Sequence, residues 1–168
     1  MAKKLKDYYD HTYLNNLADK LLSVTSSFDN KEFLNLTKAK ILDLKFSQRQ
    51  DLVARALSQS IHLGYEETLE VFSQILGPEL RGNVGAFTEG WWLWPVGRFV
   101  ELYGPDYFQA SIDFSKELTK RFTSEFCMRP LIKKYPERSL TILKDWSLDD
   151  HERVRRLSCL LYTSDAAD

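Results

Sequence analysis

Glu125 and Arg129 stand four residues apart in the stretch FTSEFCMRPLIKKYPERSLTILKDWSLDDHERVRRL, Phe122 to Leu157, so on a helix their side chains share a face. Thr123 or Ser124 is placed to cap the start of that helix, and Pro130 to kink or close the turn that follows. Further along lie Trp146 and the clustered Arg153, Arg155 and Arg156, with Lys133 and Lys134 between. A lone acid, an aromatic ring and a group of guanidinium ions suit a cationic substrate held against a polyanion. The simpler reading is a surface ion pair, which stabilises a helix by only about 0.2–0.5 kcal/mol.

Three arginines so spaced cannot share one helix face, because adjacent residues point about 100° apart. At least one of Arg153, Arg155 and Arg156 is therefore expected to face inward or along a seam, leaving the others to reach phosphate oxygens, which the arginine fork binds bidentately. Lys133 and Lys134 are further phosphate candidates, and a solvated basic face is the alternative for the whole group. Charge supports looking here. The chain carries a formal net charge of −1, yet Lys116 to Arg156 holds a local +4, while residues 1–115 carry −3.

The 168 residues, 43% of them hydrophobic, are enough for one domain with a substantial core. Cys127 and Cys159 lie far apart, and neither forms CxxC or HxxxH spacing with His11, His62 or His151, so neither a zinc site nor a disulfide framework is indicated. MAKKLKDYYD has no apolar run of signal-peptide length behind it, and no segment approaches the roughly 20 apolar residues of a membrane span. A cytoplasmic protein is expected, with no membrane partner.

The elements that would position these residues read as helices. Leu14, Leu17, Leu21 and Val24 recur at helical spacing, and Phe33, Leu36, Ile41 and Leu44 continue it after an Asp29-Asn30 cap site. Ser47 and Gln50 have capping-box spacing ahead of Leu52 to Ile61, with Gly64 placed to end that helix. Tyr65 to Leu76 repeats the pattern before Gly77-Pro78 breaks it, and Arg81 to Gly90 reads as the longest loop. Trp91–Tyr103, Pro105–Phe122, Ser124–Lys134, Pro136–Trp146 and a segment from Asp150 onward complete the set. Many short helices with tight connections predict an all-α bundle or solenoid, in which each pair buries its apolar face against the next. DDHERVRRL, an acidic helix start followed by Val-Arg, is similar to the second helix of a HEAT repeat, where the valine packs inward and the arginine lies at the seam. Self-similarity is otherwise poor, so the repeats are HEAT-like rather than regular.

FTSEFCMRPLIKKYPE, Trp146 and RVRRLS together resemble the motif block of the AlkC-type DNA alkylation-repair glycosylases of the AlkC/AlkD superfamily, and the similarity extends upstream through Trp94-Pro95, Tyr103-Gly104 and SIDFSKELTKRF. It covers most of Gly85 to Ser158 and weakens over the first eighty or so residues. The resemblance implies HEAT-like helical repeats forming a right-handed α-solenoid. It also implies a monomeric enzyme that removes cationic N3-methylated bases such as 3-methyladenine from alkylated double-stranded DNA, without flipping the nucleotide and without a cofactor. Such a base is already a good leaving group, so the enzyme can act on the sugar, where a carboxylate stabilises the oxocarbenium-like transition state or orients water. Glu125 is the catalytic candidate, Arg129 the residue that orients it, and Trp146 the aromatic that would attract the cationic base, with core packing as its other reading. Trp91, Trp92 and Trp94 read as packing residues. A non-catalytic helical-repeat scaffold binding protein or DNA is the alternative from another class.

After VRRLS the sequence departs from the family pattern. LLYTSDAAD resembles translated adapter read-through, so residues 1–158 are expected to form the N-terminal portion of an incomplete glycosylase domain and residues 159–168 a non-native tail. Family members carry further helical repeats with a second active-site acid, and on this reading the truncated chain would be weak or inactive.

Overall fold

The structure, a computed structural model, describes the backbone of residues 3–82 and 86–165 and the side chains of residues 3–82 and 88–162. In chain order the helices are α1 (His11–Leu22), α2 (Asn30–Thr37), α3 (Phe46–Ser60), α4 (Tyr65–Ile75), α5 (Ala86–Glu89), α6 (Trp94–Tyr103), α7 (Phe108–Thr119), α8 (Glu125–Lys134), α9 (Pro136–Trp146) and α10 (Glu152–Asp165). Single 3₁₀ turns at Leu5–Tyr8, Ile41–Asp43, Trp91–Leu93 and Gly104–Asp106 join them. Among the described residues, extended pairing is limited to an isolated bridge between Phe28 and Ile61. The class is all-α, as the spacing of apolar residues predicts.

Each helix turns one stripe inward. In α1 the buried residues are Tyr13, Leu14, Leu17, Ala18 and Leu21, a 3.6-residue periodicity, and burying each large side chain stabilises the fold by about 1.5–3 kcal/mol. Helices α1, α4, α7 and α10 follow one another along one side, while α3, α6 and α8 follow one another along the other. α7 packs on α8 across the two rows, and α9 closes on both α8 and α10. This progression is the stacking of an α-solenoid. It places α7 between layers, and its small buried residues Ser111 and Ser115 let neighbouring helices approach. Tyr9, Leu14, Phe33, Phe72, Val96 and Leu118 belong to the larger N-terminal core, and Met128, Leu131, Leu143, Trp146, Val154 and Leu161 to a second core at the other end.

Several boundaries follow the expected punctuation. Asp29 Oδ1 accepts the Glu32 N–H at 2.9 Å and caps α2, and Gly77 adopts φ 77°, the left-handed conformation that only glycine takes at little cost, just beyond α4. Two caps differ from expectation. Ser47 lies inside α3, which starts one residue earlier, and the side-chain cap is Gln48 Oε1 accepting the Lys45 N–H at 3.0 Å. Gly64 does not end α3; it precedes α4, its N–H donating to Glu67 Oε2 at 2.8 Å. The predicted Arg81–Gly90 loop contains α5, and its residues 83–85 lie outside the described residues. At the other end α10 runs past Ser158, after which a tail is expected to begin, and Leu161 is buried in the second core.

Gly90 marks the closest backbone approach. A Cβ there would sit 2.0 Å from the Arg121 carbonyl oxygen and 3.1 Å from Phe122 Cα, so the turn before α6 can lie on the turn before α8 only because this residue has no side chain. Gly90→Ala is expected to destabilise by about 3 kcal/mol, the upper end of the range for overpacking, because backbone must move rather than a flexible side chain. Urea denaturation reads this as a lowered midpoint; an unchanged midpoint would show that the two turns separate freely.

Candidate functional site

The turn from Thr119 to Ser124 carries Glu125, and distant parts of the chain hold it. Just past the end of α7 the Phe122 N–H donates back to Leu118 O at 2.8 Å, while the Leu80 N–H reaches across to Lys120 O at 2.9 Å. Ser124 Oγ donates to Ser115 O at 2.5 Å, so this serine ties α8 to α7 instead of capping α8 with its side chain. Thr123 Oγ1 accepts the Glu125 N–H at 3.3 Å. Arg121 donates through Nη1 to the Glu117 carbonyl and carboxylate at 2.9 and 2.8 Å, and through Nε to Gly77 O at 3.0 Å. The Glu117 carboxyl, which burial alone would raise, is held below its ordinary range by hydrogen bonds from Lys120 and Arg121.

Arg153 completes the support. Its Nε donates to Thr119 O at 3.1 Å and its Nη2 to Phe122 O at 2.7 Å, which places a guanidinium against both ends of the turn. Burial and the Arg156 charge lower its proton affinity. One arginine of the cluster therefore lies in a seam, as helix geometry requires. It is the residue before Val154 rather than the one after it, and Val154 itself is fully buried.

Glu125 opens α8 with its side chain 28% exposed, and its Oε1 accepts from Arg129 Nη2 at 2.7 Å. Helix geometry favours an anion at that end, where unpaired N–H groups point outward. Pro130 lies within α8 and does not end it; the helix continues to Lys134. The next residue, Phe126, is an exposed aromatic stacked on Trp94 with ring centroids 5.6 Å apart. Trp94 also meets Phe122 at 5.3 Å and Phe46 at 4.7 Å, forming an aromatic strip across α3, α6 and α8. One helical face of α6 continues from Trp94 to Arg98 and Glu101, where Arg98 pairs with Asp51 of α3 and, at 2.7 Å, with Glu101.

The other candidates separate. Arg155 and Arg156 are exposed on α10, Arg155 donating to Asp149 O at 2.6 Å, and Lys133 is exposed on α8. Lys134 pairs with Asp106 and lies over the Tyr135 ring. Trp146 is 6% exposed and packs in the second core, so it is a core residue and its ring is not presented to a ligand.

No protein-family model matches the chain. It is 27% identical over 155 residues to the uncharacterized protein YhaZ of Bacillus subtilis (strain 168), covering 92% of this chain and 41% of that protein. Its fold superposes, with a TM-score of 0.83 and 29% identity, on Pseudomonas fluorescens alkylpurine DNA glycosylase AlkC bound to DNA containing an abasic site analog. The chain has the AlkC-type fold. The likeness covers 94% of this chain and 42% of the AlkC chain, so the sequence spans less than half the length of the proteins it matches.

Within this AlkC-type fold, the partly exposed Trp94 stacks on Phe126, the residue after Glu125, whereas Trp146 is enclosed in the second core. The spacing of Trp94, Arg98 and Glu101 at i, i+4 and i+7 was the available signal, but the apolar run around Trp94 reads as packing. The α10 end of the Arg153 seam is fixed by His151, 5% exposed, whose Nδ1 faces the Arg153 N–H at 3.3 Å and whose Nε2 lies 3.5 Å from Glu79 Oε2. Burial, opposed by Glu79, pushes its proton affinity below the ordinary histidine range. Among the described residues no group of three His, Cys, Asp or Glu side chains could hold a metal ion, and no helix is long and apolar enough to cross a membrane.

Proposed function

We propose that the chain is part of a DNA repair glycosylase, and that the protein hydrolyses the N-glycosidic bond of cationic N3-methylated bases in alkylated duplex DNA without flipping the nucleotide. The observation that carries this reading is a partly exposed carboxylate, Glu125, held at the start of a buttressed helix in a chain whose fold superposes on AlkC. Because the methylated base leaves without being protonated, the work remaining is on the sugar. Glu125 stabilises the developing oxocarbenium ion or directs water to it, and Arg129 orients Glu125. Phe126 and Trp94 exclude water on one side and offer ring faces to the cationic base, each worth about 0.5–2 kcal/mol.

Arg155, Arg156 and Lys133 take phosphates, with Lys134 joining them once it leaves Asp106, and such contacts fix the duplex without reading sequence. Arg153 is a positioning residue: it holds the turn from which Glu125 emerges. The protein acts in the cytoplasm, as a monomer and without a cofactor.

The test is to incubate methylated duplex DNA with the protein and measure free 3-methyladenine, alongside affinity for duplexes with and without an abasic site analogue. Base release above the spontaneous rate, or tighter binding to the abasic duplex, supports a glycosylase. Equal affinity for both duplexes, falling steeply with salt and accompanied by no release, would identify a non-catalytic DNA-binding scaffold instead.

A further inference from the structure

A cleft that does not include Glu125 lies where the first residues of the chain fold against the turn before α6. About 460 Å³ in size, it opens between the Leu5–Tyr8 turn and α1 on one side and Trp91 and Trp92 on the other. Its volume falls in the range of pockets that take small ligands. Two buried tyrosines build it: Tyr9 Oη donates to Trp91 O at 2.5 Å and Tyr13 Oη to Trp92 O at 2.9 Å, so the indole-bearing backbone is fixed from below. Trp91 is wedged among Tyr8, Tyr9 and Tyr13, with ring centroids 5.3, 5.2 and 5.8 Å away.

The rim supplies charge. Lys20 Nζ lies 4.9 Å from the Trp92 ring centroid, and Lys3 Nζ lies 4.7 Å from that of Tyr8, which is 40% exposed. At exposed sites such contacts hold an ammonium group only weakly, so a phosphate can draw the lysines off and uncover the ring faces beneath. The single acid of the cleft, Asp10, is already engaged: Oδ1 accepts the Tyr13 N–H at 3.0 Å and Oδ2 faces Lys3 at 3.5 Å. Lys20 thus leaves the cleft a net positive charge beside exposed aromatic faces, a combination complementary to a flat ring carrying a phosphate.

We propose that the cleft formed by Tyr8, Trp92 and Lys20 binds a nucleotide unit, the base stacking on the aromatic faces and the phosphate taking the lysines. The unit is either a free nucleoside monophosphate or one nucleotide of a single DNA strand. This site does not involve Glu125, so it stands or falls separately from the glycosylase reading.

Titrating the protein with dAMP, deoxyadenosine and a short single-stranded oligodeoxyadenylate, followed by tryptophan fluorescence and calorimetry, tests it. Quenching by dAMP and oligonucleotide, weaker with deoxyadenosine, is expected. Trp92→Leu should weaken binding by about ten- to a hundredfold, the scale of losing a base stack. Lys20→Gln, a change at an exposed position that leaves the fold intact, should weaken it severalfold and flatten its salt dependence. An oligonucleotide that binds more tightly than dAMP and loses that advantage in Trp92→Leu identifies a DNA strand as the occupant, whereas an advantage that Trp92→Leu leaves intact belongs to phosphate contacts elsewhere and identifies the free nucleotide. Absence of binding by either at millimolar concentration, or binding that neither substitution alters, would overturn the proposal.

Discussion

Replacing Glu125 by glutamine is expected to slow release of methylated base by about ten- to a hundredfold, or about 1.4–2.7 kcal/mol of transition-state stabilisation. Opposite charges 4 Å apart attract by about 1 kcal/mol in water and about 4 kcal/mol at an effective dielectric near 20. The Glu125 side chain is 28% exposed and already shares its charge with Arg129 at 2.7 Å, which places the effect between those limits. Glutamine keeps the shape and can still accept a hydrogen bond from Arg129, so thermal stability should change by less than about 0.5 kcal/mol. Binding gives a second measure independent of turnover. A duplex carrying a protonated azasugar should bind the unsubstituted protein more tightly than one carrying a neutral abasic analogue, and Glu125→Gln should erase most of that preference. Equal rates and an undiminished preference would remove Glu125 from the mechanism.

The largest expected loss of stability is at Arg49, in the first turn of α3. This arginine is 3% exposed and donates through Nε to Leu44 O at 3.0 Å, through Nη1 to Lys6 O and Tyr9 O at 2.7 and 3.0 Å, and through Nη2 to Leu42 O at 2.7 Å. One side chain thereby satisfies carbonyls from the first 3₁₀ turn, from Tyr9 just after it, and from the connector into α3. Arg49→Met would fill similar volume but strip the donors from four acceptors, one of them buried and three partly buried, each costing up to about 1–3 kcal/mol if left unpaired. Because some of these carbonyls can turn to water, the net loss is expected to be about 3–5 kcal/mol. Arg49→Lys should recover only part of it, since one ammonium group cannot span the same set. Urea denaturation measures both; a loss below about 1 kcal/mol for the methionine variant would mean the carbonyls rehydrate at almost no cost.

Much of the helix plan was legible from periodicity and punctuation, because both are local properties. Asp29 before a helical run and Gly77-Pro78 after one act through neighbours within a turn or two. The misplaced caps at Ser47 and Gly64 fall where two signals lie within three residues of each other, and spacing alone does not choose between them. What was not legible depends on contacts remote in sequence. Arg49 sits in FSQRQ, which reads as a solvated helix start, and its carbonyl partners at Lys6 and Tyr9 are about forty residues away. Trp146 was misread for the same reason, and Trp94, expected to pack, does so only partly buried. Each is a tryptophan on an amphipathic helix, and only the packing of other helices decides that Trp146 is enclosed by α8 and α10 while Trp94 meets Phe126 near the surface. Helix geometry did require that the VRRL arginines diverge, but it did not say that Arg153 would take the seam.

Gly77, Leu80 and Gly90, all between α4 and α6, touch the turn that carries Glu125. The length of this connection is therefore not free to drift as that of an ordinary surface loop is. An insertion beside Leu80 or Gly90 would pull these contacts away and loosen the footing of Glu125 from outside, so the seat of this carboxylate depends on residues more than thirty positions upstream of it.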